Sequence, residues 1–566
     1  MSLGSLFQKK TEKPPVLPDI YEWPIYKLTR DRVSFMEEWI EATRNRILEL
    51  TDNGKNLHEE LAKTMYLEKI RLTQNPWKTD TEGEKRFWNQ IRTRVLANAD
   101  KSPIHTIDPV DAEILEDIIH TYAYEIRGNF KPQAYGLASQ ILPILFHRLL
   151  NTASARNMGR IWSNKHTMDE RIRVVGPIDE IRLLSTKGTV ILLPTHFSNL
   201  DSILIGYVLH KMGLPAYLYG AGLNLFTNPI LSYFMGNLGA YKIDRRKKSD
   251  IYLETLKSYS RMALLRGGHS LFFPGGTRSR SGELEKHLKL GLLGTAIDAQ
   301  RIALTRNDPE APANKLFVVP LVLGYHFVLE APSLISEYLK STGKEKYFIN
   351  PQVFPGFLSS FKFLWKFFSA KSEVYLSFGK PYDLFGNEVD TEGNSIDKHS
   401  RKLDLRSYFI SRGEMRPDTQ RDAEYTRMLG EFITERYKCE NVVLSSNIIS
   451  FVAFQMMQKK FHRLDLYGLL RLPEEDRMIP YDRFAQKCQE IRNEVLCLVE
   501  AHKARAASHL YGDIHRLIKH GLLNAGIYHN QKAIMLDNNG DISSEDMNLL
   551  FYYHNRLTGY GLETKI

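Results

Sequence analysis

Residues 188–212 read GTVILLPTHFSNLDSILIGYVLHKM, and they decide the fold. Residues 189–193 are β-branched or aliphatic without polar interruption, as a strand covered on both faces requires. Pro194 ends the run and a polar turn follows. From residue 199 to 212 apolar side chains return at helical spacing. Strand, loop and helix in immediate succession make the repeating unit of an α/β sheet.

The same alternation extends outward from about residue 170 to 385. Further candidate strands are 216–219, 240–243, 270–273, 316–323 and 374–378, with candidate helices at 228–235, 250–265 and 290–300. This predicts an α/β class: a central, mostly parallel mixed sheet with helices, flanked by helical N- and C-terminal regions. The N-terminal part mixes apolar and charged residues at helical spacing over 29–50, 56–73, 84–99 and 108–127, and Asp108 before Pro109 is a good helix start. It reads as a scaffold or lid without chemistry of its own. Residues 379–400 are polar and turn-rich, a linker or excursion, and helical patterns resume to the end. No internal repeat is evident. The expected division is a helical domain over 1–155, an α/β catalytic domain over 156–390 and a helical domain over 391–566.

Composition narrows the class. The chain of 566 residues is 43% apolar and 25% charged, which argues against wholesale disorder, a collagen or a disulfide scaffold. A net charge of +10 suggests anionic partners. Cys439, Cys488 and Cys497 lie far apart, so neither a disulfide framework nor a cysteine zinc site follows, and a reducing compartment is expected. The first residues show no secretory signal, and no run of about 18 apolar residues predicts a transmembrane helix. Residues 355–371 interleave six aromatic side chains with three lysines. They suit a segment lying on a membrane surface, or equally a core helix with snorkelling lysines.

In open α/β sheets, sites lie beyond the carboxyl ends of the strands, so the loops after residues 193, 243 and 273 carry the argument. The first holds His196, with Asp201 five residues on. A carboxylate folded back onto the imidazole would fix its tautomer and leave the other nitrogen to take a proton from a hydroxyl. The bland alternative is an aspartate favouring a helix N-terminus. No HExxH motif or dense histidine cluster accompanies His196, so no metal is assigned. The second loop follows a strand with Asp244, Arg245, Arg246, Lys247 and Lys248; the first two cations suit an anion site, and the two lysines read as solvated. The third, FFPGGTRSRSG over 272–282, combines glycines that admit close approach with arginines suited to phosphate oxygens. It lacks the GK[ST] ending of a phosphate-binding P-loop. No nucleic-acid module is recognisable, and nucleic acid is not expected as a partner. A base dyad and two arginine loops at strand ends call for a substrate with a hydroxyl and a phosphate.

These blocks resemble the glycerolipid acyltransferase superfamily. Its marks are His-x4-Asp (196–201), a glycine-containing loop ending near arginine (239–246), a Phe-Pro-Glu-Gly-Thr-Arg-Ser-type loop (273–280) and a Val-Pro strand (Val318, Val319, Pro320, Leu321). Within it, residues 221–224, 278–282 with 289–291, Gly324-Tyr325 with Glu330, and 441–446 are most similar to bacterial-type glycerol-3-phosphate and dihydroxyacetone-phosphate acyltransferases. The resemblance implies transfer of a fatty acyl group from acyl-CoA or acyl carrier protein to the sn-1 hydroxyl of glycerol 3-phosphate, the first step of phospholipid synthesis. It implies no cofactor beyond that thioester co-substrate. His196 would be the base and Asp201 its orienting partner. Arg245, Arg278, Arg280 and Lys289 would bind phosphate, with Gly276 and Thr277 shaping the loop. It also implies a peripheral protein on the cytoplasmic face of a membrane, touching it through 355–371. Alternatives are a dihydroxyacetone-phosphate or lysophosphatidic acid acyltransferase, or a non-catalytic anion-binding module at a membrane surface. Two positions depart from the family pattern: Gly275 stands where a glutamate is usual, and His326 where an acid commonly follows Gly-Tyr.

Overall fold

A computed structural model describes residues 13–52, 56–77, 79–98, 107–141, 171–227, 229–306, 315–342, 373–411, 413–527 and 529–566. The candidate membrane-surface segment 355–371 lies outside these residues. Among the described residues no helix is long and apolar enough to cross a membrane.

The centre is a seven-stranded sheet: β1 Ile172–Val175, β2 Thr189–Pro194, β3 Leu218–Gly222, β4 Ala240–Ile243, β5 Ser270–Leu271, β6 Leu316–Tyr325 and β7 Val374–Phe378. The spatial order is β1-β7-β6-β2-β5-β3-β4. Every neighbouring pair is parallel except β6 with β7, so the sheet is mixed and mostly parallel, as expected. The carboxyl ends of β2, β4, β5 and β6 therefore open on one edge, and the loops singled out above converge there.

The period of two along each strand sorts the core. Val190 and Leu192 of β2 join one hydrophobic cluster with Phe317, Val319, Leu321 and Leu323 of β6. That face packs on helix Asp201–Lys211 and on the C-terminal helices Ser445–Lys460, Tyr481–Glu500, Ile514–Asn524 and Met547–His554. Ile191 and Leu193 turn the other way, toward Trp39, Ile118 and Tyr122 of the N-terminal helices and toward helices Asp250–Leu265 and Leu290–Arg306. The sheet is thus lined on both faces, and the cores follow its faces rather than successive thirds of the chain. Helix Thr419–Glu440, late in sequence, sends Leu429, Ile433 and Tyr437 to the N-terminal side.

Residues 379–400 are no bare linker. Asp383, Asp390 and Asp397 each accept from the backbone N–H groups two and four residues on, at 2.8–2.9 Å. The residue three after each aspartate, Gly386, Gly393 and Ser400, has a left-handed φ of 84°, 75° and 60°. One turn is used three times at a spacing of seven, a short internal repeat that the differing sequences hide.

Candidate functional site

β2 delivers His196 into a loop that its partners hold from several sides. Asp201, at the first turn of the following helix, is fully buried. Its Oδ2 meets His196 Nδ1 at 2.8 Å and accepts the Phe197 and Ser198 amides at 2.7 and 2.9 Å. Its Oδ1 accepts the Tyr325 hydroxyl at 2.5 Å. Burial, with the Asp201 charge next, holds the Tyr325 phenol well above its usual range, so it stays a donor. A carboxylate offers only acceptors, so Nδ1 of His196 carries the proton and Nε2 is left with a lone pair. The ring stacks on Phe273, centroids 4.1 Å apart, and its side chain is 17% exposed. Imidazole and aspartate thus meet as the spacing suggested.

The arginine loop, 272–289, joins β5 to helix Leu290–Arg306. It is bound to the histidine loop directly: Ser279 N–H donates to His196 O at 2.7 Å. Gly276 closes a turn with φ +76°, which favours glycine. The stem of Lys289 fills the space above it, with Cγ 2.9 Å from where a Cβ would stand. No carboxylate pairs with the Lys289 ammonium among the described residues. Arg278 is half-buried and 3.3 Å from Glu330 Oε1. Glu330 also accepts Ser198 Oγ at 3.0 Å and the Asn199 amide at 2.9 Å, so it couples Arg278 to the histidine loop. Arg280 points outward to Glu337 at 3.5 Å, both exposed, and Thr277 is exposed at the loop surface.

The cations after β4 divide differently from the sequence reading. Arg245 is exposed and has no carboxylate partner among the described residues. Partial burial, and next the neighbouring Arg278 charge, lower its pKa, so the two guanidiniums share one field. Arg246 is not an anion site. Its fork is filled by Asp80, at 2.6 and 2.8 Å, and Asp244, at 2.7 and 3.0 Å, and its plane lies 4.0 Å above the Trp77 ring. Lys247 is not solvated. It is buried over Tyr122 and Tyr252 and paired with Glu125 and Glu84. Arg71, buried beside them, binds Glu68 at 2.6 Å, Asp80 at 2.9 Å and Glu84. The N-terminal helices therefore clamp the base of the Arg245 loop through an ion-pair network. Sequence reasoning missed it because Asp80, Glu84 and Glu125 lie more than a hundred residues upstream.

Two further contributors, Glu285 and Arg556, escaped the motifs, and Tyr325 and Glu330 were quoted with the resemblance but given no role. Glu285 Oε1 accepts the His196 amide at 3.0 Å. Arg556, from the far end of the chain, is buried with its guanidinium 4.2 Å over the Phe197 ring and donates to Asn441 Oδ1 at 2.9 Å and to Leu323 O. It lines a small cleft with Phe197, Tyr325, Asn447 and Tyr552. Gly282 lets the arginine loop touch that wall, since a Cβ there would stand 2.2 Å from Tyr552 O. The C-terminal region is thus part of the site.

His326, at the position where the resemblance led to an acid, sits with His509 and His520, one ring nitrogen of each within 4.8 Å of the others. The arrangement does not fit a metal. His509 Nε2 accepts the Ser445 amide at 3.0 Å, which places the proton of a neutral ring on Nδ1. The His509 and His520 rings stack at 4.3 Å and 29°, so their in-plane lone pairs run side by side. Burial lowers all three pKa values, that of His509 to about 4, as in a packed uncharged cluster.

By structure the chain is similar to the 1-acyl-sn-glycerophosphate (LPA) acyltransferase PlsC from Thermotoga maritima, at 11% identity and a TM-score of 0.23, over 68% of this chain and 96% of that one. That likeness is too distant to argue from. The sequence match is local and direct: residues 167–324 fit the Acyltransferase family model, and they span β1 to β6 with both loops that meet at His196. Residues 167–324 are thus similar to the Acyltransferase family, the kind of protein that the motifs around His196 resemble.

Proposed function

We propose that the chain acylates the sn-1 hydroxyl of glycerol 3-phosphate, taking the acyl group from acyl-CoA or acyl carrier protein. The observation that carries this reading is the His196–Asp201 pair at 2.8 Å, tied to the arginine loop by the 2.7 Å bond from Ser279. A phosphate held by Arg245, Arg278 and Lys289 would present the hydroxyl at the far end of the same small molecule to His196 Nε2. Arg280, turned toward Glu337, is the weakest of the four phosphate candidates.

His196 Nε2 takes the hydroxyl proton while that oxygen attacks the thioester carbonyl. Asp201 accepts from Nδ1–H and stabilises the imidazolium that forms. When the tetrahedral adduct collapses, the C–S bond breaks and His196 returns the proton to the leaving sulfur. An ester and a free thiol result, and no acyl group is ever attached to the protein. Dihydroxyacetone phosphate and lysophosphatidic acid offer the same pair of groups and are the alternative acceptors. The amphiphilic product calls for a membrane surface nearby, and residues 355–371 are the segment proposed to meet it; sedimentation with anionic vesicles tests that contact.

The test is thiol release and ester formation by the purified chain, with acyl-CoA and acyl carrier protein donors against the three acceptors. The proposal expects lysophosphatidic acid from glycerol 3-phosphate. Thiol release that no acceptor stimulates would overturn it.

A further inference from the structure

Gly275 leaves the arginine loop without a side chain beside His196, yet the space is not empty. A Cβ built on Gly275 would stand 2.9 Å from Glu285 Cγ and 3.1 Å from its Oε1. Real side chains do not approach that closely, so Glu285 occupies the volume that a residue at 275 would need. The loop's closure explains how it gets there. Gly276 N–H bonds Phe273 O at 3.0 Å and Lys289 N–H bonds Pro274 O at 2.6 Å, so the limb carrying Glu285 folds back over the limb carrying Gly275.

The carboxylate then does something specific with its place. Oε1 accepts the backbone N–H of His196 at 3.0 Å. Oε2 is buried and has no hydrogen-bond partner. A buried carboxylate oxygen without a partner is a costly arrangement. Burial raises the Glu285 pKa to about 6, against the opposing pull of the His196 amide and, more weakly, of the Arg556 charge. An apolar side chain would fill the same hole without that cost but could not hold the amide. His196 O is held from the same loop by Ser279 and its Nδ1 by Asp201, so with Glu285 each polar atom of the residue except Nε2 is fixed.

We propose that Glu285 is the positioning residue of the His196 site, a carboxylate carried on the returning limb of the loop and seated over Gly275, which is side-chain-free in order to admit it. It acts through the His196 backbone and so through the direction of Nε2. The effect on turnover rests on the acyl-transfer reading above; the steric pairing of residues 275 and 285 does not.

The experiment is a cycle of four full-length proteins: wild type, Gly275→Ala, Glu285→Ala and the double variant, with Glu285→Gln beside them. Glu285→Ala is expected to lower kcat at least about tenfold, toward the roughly 10²-fold loss that a misplaced catalytic group causes, with the acceptor KM little changed. Glu285→Gln, whose carbonyl still accepts the amide, should keep most of kcat. Gly275→Ala should lower kcat and the unfolding midpoint in the wild-type background and cost neither in the Glu285→Ala background. A Glu285→Ala protein with kcat within about twofold of wild type would overturn the positioning role. A Gly275→Ala cost that is absent, or equal in both backgrounds, would overturn the pairing. Because the pairing is also read in unfolding midpoints, a wild-type protein without acyl transfer would sink the proposed reaction and still leave this steric claim decided.

Discussion

The loops after β4 and β5 carry nearly the same cations and end in opposite chemistry. After β4, Arg246 and Lys247 are consumed by Asp80, Glu84, Glu125 and Asp244, while Arg245 and Lys248 stay exposed. After β5, Arg278 has one partner, the buried Glu330, Arg280 has an exposed partner and Lys289 has none among the described residues. The difference lies in what the rest of the chain brings up to each loop. The N-terminal helices supply carboxylates to the first; backbone donors, Phe273 and the histidine loop surround the second. A basic loop becomes structural when several buried acids fill its cations' donors, and stays available to an anion where a single acid, Glu330, meets it.

The largest effect that would break this contrast is on stability. Lys247→Ala leaves Glu125 buried and unpaired, and removing one member of a buried ion pair costs about 3–5 kcal/mol. Urea unfolding should show that loss; an unchanged midpoint would place Lys247 with the available cations. Arg278→Ala should cost less in unfolding midpoint, because Glu330 keeps the Ser198 hydroxyl and Asn199 amide, and should raise the KM for a phosphate-bearing acceptor about 10- to 100-fold, as the loss of a charge-assisted bond worth about 1.5–3 kcal/mol predicts. Glu285 sharpens the second loop through pH. Its pKa is raised from 4.5 to about 6, so the folded state binds its proton more tightly and stability is lost as pH rises through that window. Glu285→Gln should therefore gain on wild type in unfolding midpoint between pH 4.5 and about pH 7; a pH-independent difference would contradict the burial of that carboxylate. Arg280→Ala should have the smallest effect, since exposed pairs contribute about 0.2–1 kcal/mol; a large rise in acceptor KM would return Arg280 to the phosphate site.

What the sequence made legible was local. Helix Asp250–Leu265 matches its expected bounds because Ser249 caps it, accepting the Tyr252 amide, and its apolar face is regular. β2 and β6 were readable because strands buried on both faces are continuous apolar runs. β1, four residues with Arg173 in the middle, gave no such signal, and β5 shrank to two residues because Phe272 and Phe273 already belong to the loop. His196 and Asp201 were found because their partnership spans five residues. Lys247 was misread as solvated because its acids are remote, and Glu285 was passed over because what singles it out is the empty place at Gly275. Arg556 needed the whole chain to fold before it could reach Phe197.

The central claim is that His196 Nε2 removes a proton from a hydroxyl that attacks an acyl thioester. The most direct measurement is the rate of acyl transfer to glycerol 3-phosphate by His196→Ala, set beside wild type at equal folded concentration. A general base contributes about 10²–10⁴-fold, and the variant should lose that much in kcat while its unfolding midpoint holds. A His196→Ala protein that transfers acyl groups at the wild-type rate would contradict the account.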